Sequence, residues 1–464
     1  MIFYKKFHSF FRKKKIFIND ITTNKSITYD ELFKNSIKLG NYFIHNKGIK
    51  SGDTILVKLE HSSLFYEILI ASAIIGAKVC PVSPKINRSK FHKIKKLINN
   101  KLEITSTKDV CYSSVKDIPK NFYKLNFNQE YLIIFSSGTT SGEPKGIVHS
   151  LGSLISSAEN FSKLCRFKNK DIFYAFWPLH YMAGIFNLFF VPLVNSSTII
   201  FNSEFKIFLI KQILDVIKRK KITQLLLTPT MCSSIINFKS SILKNFSFGK
   251  KINIISTSNI LYPETSNKFE RVYKKKIHEC YGVTELGGSI TINYSRKSEN
   301  YCVGIFSKKI KIKCQGSKKI PKEIFIKSDF MMTRYINKKL NIKNFFKTGD
   351  IGYFKNNKLY VLGRSEDNIK IGGEFVSLAE IENIALSIKG VKNVIAVPKK
   401  NEFFGFKINL YVELELNYNN KEIENKIISL FNNSLSKNEM PENIKFVKKI
   451  KKTLIGKNIK YFYR

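Results

Sequence analysis

YLIIFSSGTTSGEPKGIVHS, residues 131–150, sets a short apolar run directly against a loop of glycines and hydroxyls. Five consecutive apolar residues, Tyr131 to Phe135, are the pattern of a strand buried on both faces, as in a parallel sheet. Ser136, Ser137, Gly138, Thr139, Thr140, Ser141 and Gly142 follow, and then Pro144, Lys145 and Gly146. Glycine lets backbone N–H groups turn inward, the hydroxyls add donors, and Lys145 adds a positive charge. Such a loop is a cradle for phosphate. A flexible Ser/Gly linker has a similar composition, but not a buried strand before it and Pro-Lys-Gly after it. No Gly-Lys-Ser/Thr follows, so the loop is not of the Walker type.

Outward from this strand, helical and strand periods alternate. Residues 26–49 carry apolar side chains at helical spacing from Leu32 to Phe43, opened by Asp30 and stopped near Gly48. Residues 53–60 and 78–84 read as strands around a helix at 63–77. Farther on, 206–221 and 264–275 read as helices, and 222–229 and 251–257 as strands. Repeated strand–helix–strand units mean an α/β fold with mainly parallel sheets. Past residue 300, short alternating runs at 309–314, 323–328 and 358–363 indicate a small antiparallel β region. From 364 a new unit of about 100 residues begins, a usual domain size. Its helices fall at 377–390 and 420–435, and its strands at 391–400 and 407–416. The expected architecture is a large N-terminal domain, 1–363, of parallel-rich sheets flanked by helices plus the small β region. A small α+β C-terminal domain, 364–464, completes it.

Residues 173–194 hold no charge over 22 positions, long enough to span a bilayer. Pro178, His180, Asn187 and Pro192 argue instead for a strand end, a loop and a buried helix.

The charge is the odd feature. Lys and Arg total 79 against 35 Asp and Glu, a net +44, in a chain of 464 residues that is 43% hydrophobic. That hydrophobic content excludes a wholly disordered chain. The charge alone fits a non-catalytic binder of nucleic acid or of a membrane surface. Yet only nine of the 79 are Arg, the residue whose planar fork grips phosphate bidentately. A lysine excess spread from end to end reads as compositional drift. The opening MIFYKKFHSFFRKKKIF is basic and aromatic, and has the chemistry for peripheral membrane contact, but it lacks a signal peptide's unbroken apolar region. Seven scattered Cys with no CxxC pair argue for reduced thiols and a cytoplasmic address.

The loop at 136–146 resembles the signature loop of the acyl-adenylate-forming superfamily, which includes acyl-CoA synthetases and adenylation domains. Other segments then follow in the family's order. WPLHYMAG (177–184) resembles the segment whose His, here His180, sits by the acyl site. LTPTM (227–231), YGVTELGG (281–288), KTGDIGYF (347–354), GRSEDNIKIGGEFVSLAEIE (363–382) and TLIGKNIK (453–460) match later motifs. The resemblance covers essentially the whole chain.

It implies an ATP- and Mg²⁺-dependent ligase that turns a small carboxylic acid into an acyl-adenylate and passes the acyl group to a thiol. Tyr281 and Gly282 would pack on adenine, while Thr284 and Glu285 hold Mg²⁺, a hard cation that takes oxygen ligands. Asp350 would accept the ribose hydroxyls and Arg364 would contact the ribose or phosphate side. His180 would wall the acyl pocket. Lys457 would be the catalytic cation, stabilising charge as the carboxylate attacks the α-phosphate. The C-terminal domain would rotate about Glu366, offering Lys457 for the first step and the 370–376 loop for the second. Coenzyme A is the expected acceptor, and the alternative is the phosphopantetheine arm of an acyl carrier protein, which a basic surface would steer. Nucleic-acid binding explains none of these loops.

Four departures stand out. Ser141-Gly142-Glu143-Pro144 is one residue longer than the usual run, and Glu143 brings a negative charge near phosphate. STSNIL (256–261) replaces a usual Gly/Ala-rich stretch, so Thr257, Ser258 and Asn259 would narrow the acid pocket or make it more polar. Glu366 stands where Asp is usual, and the spacing from Pro84 to Ser136 is short.

Overall fold

The computed structural model describes residues 7–110, 128–136, 145–202, 209–242, 246–295, 299–318, 320–336, 344–365, 368–371, 374–401, 405–452 and 458–463. Two parallel-rich sheets, one antiparallel sheet and a smaller C-terminal sheet organise them. The first sheet runs, edge to edge, Ile277–Glu279, Asn253–Ser256, Gln224–Leu227, Ile172–Ala175, Thr198–Phe201, Ile16–Asp20 and Lys25–Thr28. Its pairings are parallel except the last. The second runs Arg334–Tyr335, Lys145–Ser150, Glu130–Ser136, Lys78–Pro81, Thr54–Val57 and Leu102–Ile104.

One hydrophobic cluster joins both sheets: Val79 and Leu132 of the second lie in it with Phe173, Ile199 and Leu225 of the first. The joining layer is helical. In the helix Ser63–Ile75 every residue from Phe65 to Ile75 is buried, as expected of a helix apolar on all sides between two layers. The uncharged stretch also lies in this core. It forms the strand Ile172–Ala175, a loop, and helical turns from Met182 to Asn195 interrupted by one π turn at Phe186–Phe190. Among the described residues no helix is long and apolar enough to cross a membrane.

The helix expected to open at Asp30 spans Tyr29–His45 and is capped two residues earlier, at Thr28. Thr28 accepts from the Glu31 N–H and Glu31 reaches back to the Thr28 N–H, a reciprocal cap. The sequence at 26–31 already holds this Thr-x-x-Glu signal.

The antiparallel sheet has six strands: Thr291–Ile292, Cys302–Phe306, Lys358–Arg364, Phe346–Lys355, Lys322–Ser328 and Ile310–Lys313. Beyond it, Val391–Asn401, Gly405–Leu414 and Asn443–Phe446 form a three-stranded sheet under the helices Leu378–Leu386 and Asn420–Ser434, with a hydrophobic cluster of its own. This part touches the rest through polar contacts near residue 262. The Tyr262 hydroxyl donates to Glu382, and the Glu264 N–H to Asn383 Oδ1 at 3.5 Å.

Candidate active site

The strand Glu130–Ser136 pairs antiparallel with Lys145–Ser150, in a register that sets Ser136 opposite Lys145. The glycine- and hydroxyl-rich segment thus lies, in sequence, between two paired strands. Ser137, Gly138, Thr139 and Thr140 lie outside the described residues, as does Lys457. Ser136 ends its strand, and Lys145 opens the next with its ammonium half exposed.

Lys145 Nζ lies 3.3 Å from Glu285 Oε1, across 140 residues of sequence, and 3.9 Å from the centroid of the Tyr335 ring. The Tyr335 hydroxyl donates to the same Oε1 at 3.0 Å. Thr284–Leu286 is a single 3-10 turn, and its backbone is held from two sides. His149 Nε2 lies 2.8 Å from the Thr284 carbonyl oxygen, and the Met332 N–H donates to the Glu285 carbonyl at 2.8 Å. A carbonyl can only accept, so His149 carries its proton on Nε2, and burial lowers its pKa to about 4. Gly282, in the strand before this turn, has a backbone reason for its identity. A Cβ there would come within 2.0 Å of the Gly288 carbonyl on the paired strand.

A second group forms around Asp350. The Tyr281 hydroxyl donates to Asp350 Oδ2 at 2.6 Å and Arg364 Nε lies 3.1 Å from Oδ1. Asp350 and Arg364 are cross-strand partners, so the sheet itself sets this ion pair. The Thr348 hydroxyl takes the Asp350 N–H at 3.1 Å and donates to the Ile324 carbonyl at 2.8 Å. Arg364 also donates to the Thr348 carbonyl at 2.9 Å. Between them Gly349 sits at φ +76°, a conformation that favours glycine. The Thr-Gly-Asp motif is thus an irregularity within the strand Phe346–Lys355. Burial, and then the Asp350 charge, hold the Tyr281 hydroxyl far above its ordinary pKa, so it remains a donor.

His180 lies in the loop before the buried helical turns, which Trp177 pins by donating to the Leu226 carbonyl at 2.9 Å. Its ring sits 4.3 Å from that of Tyr181, its Nε2 is buried without a hydrogen-bond partner, and burial lowers its pKa to about 4. It forms no hydrogen bond with the other candidate residues among those described.

Lys145, Thr284, Glu285, Tyr281, Asp350 and Arg364 are thus drawn into two adjoining groups, with Tyr281 and Thr284 only three residues apart. Two participants escaped the sequence reading, Tyr335 and His149. Glu279 ends the strand before Tyr281, and burial raises its carboxyl to about 8. Its strand, Ile-His-Glu, carries no apolar pattern that marks the acid. Tyr335 offered no signal, in a stretch with no periodicity.

Hard oxygens from Thr284 and Glu285 suit a magnesium ion. Among the described residues no three His, Cys, Asp or Glu side chains gather as a metal cage. One carboxylate and one hydroxyl fit an ion whose other ligands come from phosphates and water, which is how magnesium usually binds beside nucleotides.

Residues 9–336 match the family described as AMP-binding enzyme. 4-coumarate–CoA ligase 3 of Arabidopsis thaliana is 23% identical over 441 residues, covering 83% of this chain and 77% of that protein. ATP-bound MatB from Rhodopseudomonas palustris aligns with a TM-score of 0.83 at 19% identity, over 99% of this chain and 98% of that one. The o-succinylbenzoate CoA synthetase of Bacillus subtilis, solved with its acyl-adenylate intermediate, aligns with a TM-score of 0.85 at 18% identity, over 99% and 97%. At these identities the two structures share the fold.

Proposed function

Because the chain belongs to the AMP-binding enzyme family, we propose that it activates a small carboxylic acid with ATP and Mg²⁺ and transfers the acyl group to coenzyme A. The observation that carries this reading is the meeting of Lys145, Glu285, Tyr281, Asp350 and Arg364 from motifs spread over 220 residues. A buried carboxylate flanked by hydroxyl and guanidinium suits a ribose diol, and the neighbouring turn offers oxygens to a metal. When bound, Mg²⁺ would draw charge off the phosphates.

In this reading each residue has a role. Asp350 accepts from the ribose hydroxyls, and Arg364 keeps it oriented. Tyr281 and Gly282 form the wall for adenine. Thr284 and Glu285 hold the metal. Lys145 serves the phosphates from the start of its strand, together with Ser136, Ser137, Gly138, Thr139 and Thr140. His180, neutral at physiological pH, walls the acid pocket. Lys457 supplies the cation for charge developing at the α-phosphate. The division at 363/364 gives a lid, 364–464, that turns between the two steps. The six described cysteines are free, and five are buried, which suits a reducing, cytoplasmic address.

The net charge of +44 favours one second reading, an acidic carrier protein's phosphopantetheine arm as acceptor. ATP–pyrophosphate exchange across aryl, dicarboxylic, short and long acids tests the activity. Exchange should appear with at least one acid and fall about 10²–10³-fold in Lys457→Ala. Mass-resolved thioester assays then separate the acceptors; product only on the carrier overturns coenzyme A.

A further inference from the structure

We propose that Tyr335 is a positioning residue for the Glu285 carboxylate, anchoring Oε1 so that Oε2 is presented to a magnesium–nucleotide complex. This rests on the reading of Glu285 as the metal carboxylate.

The short strand Arg334–Tyr335 pairs antiparallel with Lys145–Ser150, Tyr335 opposite Ile147. Its placement does not depend on the tyrosine hydroxyl. Arg334 makes a bidentate pair with Glu130 at 2.7 and 2.9 Å. The Thr333 and Ile336 N–H groups donate to the Val148 and Gly146 carbonyls at 2.8 and 2.9 Å. The ring is therefore delivered to a fixed point, and its hydroxyl is spent on Glu285 Oε1.

The same segment also fixes the Glu285 main chain through the Met332 N–H. With the backbone and one oxygen held, few side-chain torsions remain for the carboxylate to explore. Lys145 shares Oε1 and lies over the Tyr335 ring, so both donors crowd one oxygen. Oε2 has no hydrogen-bond partner among the described residues. A carboxylate held at one oxygen and open at the other is pre-organised as a monodentate ligand. Lys145 alone would not achieve this, because its flexible stem lets the ammonium follow the carboxylate.

The test uses the full chain and Tyr335→Phe, which keeps the ring and removes only the donor. Mn²⁺ binding with a non-hydrolysable ATP analogue, followed by electron paramagnetic resonance, should weaken about tenfold, the size of one hydrogen bond to a charged acceptor. The half-saturating Mg²⁺ in pyrophosphate exchange should rise by a similar factor while the KM for the acid stays within about twofold. In a Glu285→Ala background the substitution should have no further effect on Mn²⁺. Unchanged Mn²⁺ affinity in Tyr335→Phe, or equal weakening with and without Glu285, overturns the positioning role. Mn²⁺ affinity indifferent to Glu285→Ala instead overturns the reading of the metal carboxylate, and the proposal with it. Tyr335→Leu, lacking ring and hydroxyl, should match Tyr335→Phe in metal affinity if the hydroxyl alone matters.

Discussion

Glu285 and Asp350 each meet one tyrosine hydroxyl and one cation, yet the two carboxylates are tied in different ways. At Glu285, Tyr335 and Lys145 share a single oxygen. At Asp350 the donors are split, Tyr281 on Oδ2 and Arg364 on Oδ1, and the Asp350 side chain is only 8% exposed. The first arrangement can accept a ligand without giving anything up. The second must exchange a partner before a diol can enter, so nucleotide binding there is coupled to movement of Tyr281 or Arg364. A tyrosine, a cation and a carboxylate thus build an open site in one place and a latched one in the other, and the difference lies in which oxygen each donor reaches.

The largest effect should come from removing the two charges. Glu285→Gln should lower pyrophosphate exchange about 10²–10³-fold, and change unfolding free energy by about 0.5 kcal/mol or less, because its ion pair is partly in water. Asp350→Asn should reduce exchange as well, and in addition cost about 2 kcal/mol in urea unfolding, since it strips a charged acceptor from a buried hydroxyl. Equal stability losses in both would erase the distinction between open and latched.

Acidity should divide the two groups next. His149, behind Glu285, has a folded pKa lowered from 6.5 to about 4. The unfolded chain therefore binds the proton first, so the His149 contribution is complete above pH 6.5 and is lost as pH falls toward 4. Glu279, two residues before Tyr281, has a folded pKa raised from 4.5 to about 8. There the folded chain holds the proton, so its contribution is complete below pH 4.5 and is lost as pH rises through 8. At about 1.4 kcal/mol for each pH unit between the folded and unfolded values, the acid limb is worth roughly 3 kcal/mol and the alkaline limb roughly 5 kcal/mol. His149→Gln should flatten the acid limb of a stability–pH curve, and Glu279→Gln the alkaline limb. A curve unchanged by both substitutions would remove the contrast.

Two smaller effects sharpen it. Tyr281→Phe should cost about 1–1.5 kcal/mol of stability and make Asp350 easier to engage, lowering the KM for ATP if the latch opposes binding. Lys145→Met should move the unfolding free energy by no more than about 1 kcal/mol, as expected of a half-exposed pair. Its effect should fall instead on ATP use.

Much of this was legible in order along the chain. The alternation of apolar runs with amphipathic helices is a local pattern, and it marked the parallel-rich sheets and the antiparallel region past 300. The motifs named Lys145, Glu285, Tyr281, Asp350 and Arg364 without geometry. Tyr335 and His149 could not be found that way, because each acts through a partner 50 and 135 residues distant. The buried helical stretch after Trp177 was ambiguous by hydropathy alone; its prolines and His180 resolved it.

Residue pattern alone was enough for the fold class and the roster of motif residues, because burial periodicity and loop chemistry are properties of neighbours along the chain. Only the folded molecule decided which donor meets which carboxylate oxygen. That choice is made where Lys145–Ser150, Arg334–Tyr335 and the turn at Thr284 converge, and where Phe346–Lys355 lies beside Lys358–Arg364. Strand register sets distances of a few ångströms between residues far apart in sequence, and hydrogen bonding is decided at that scale.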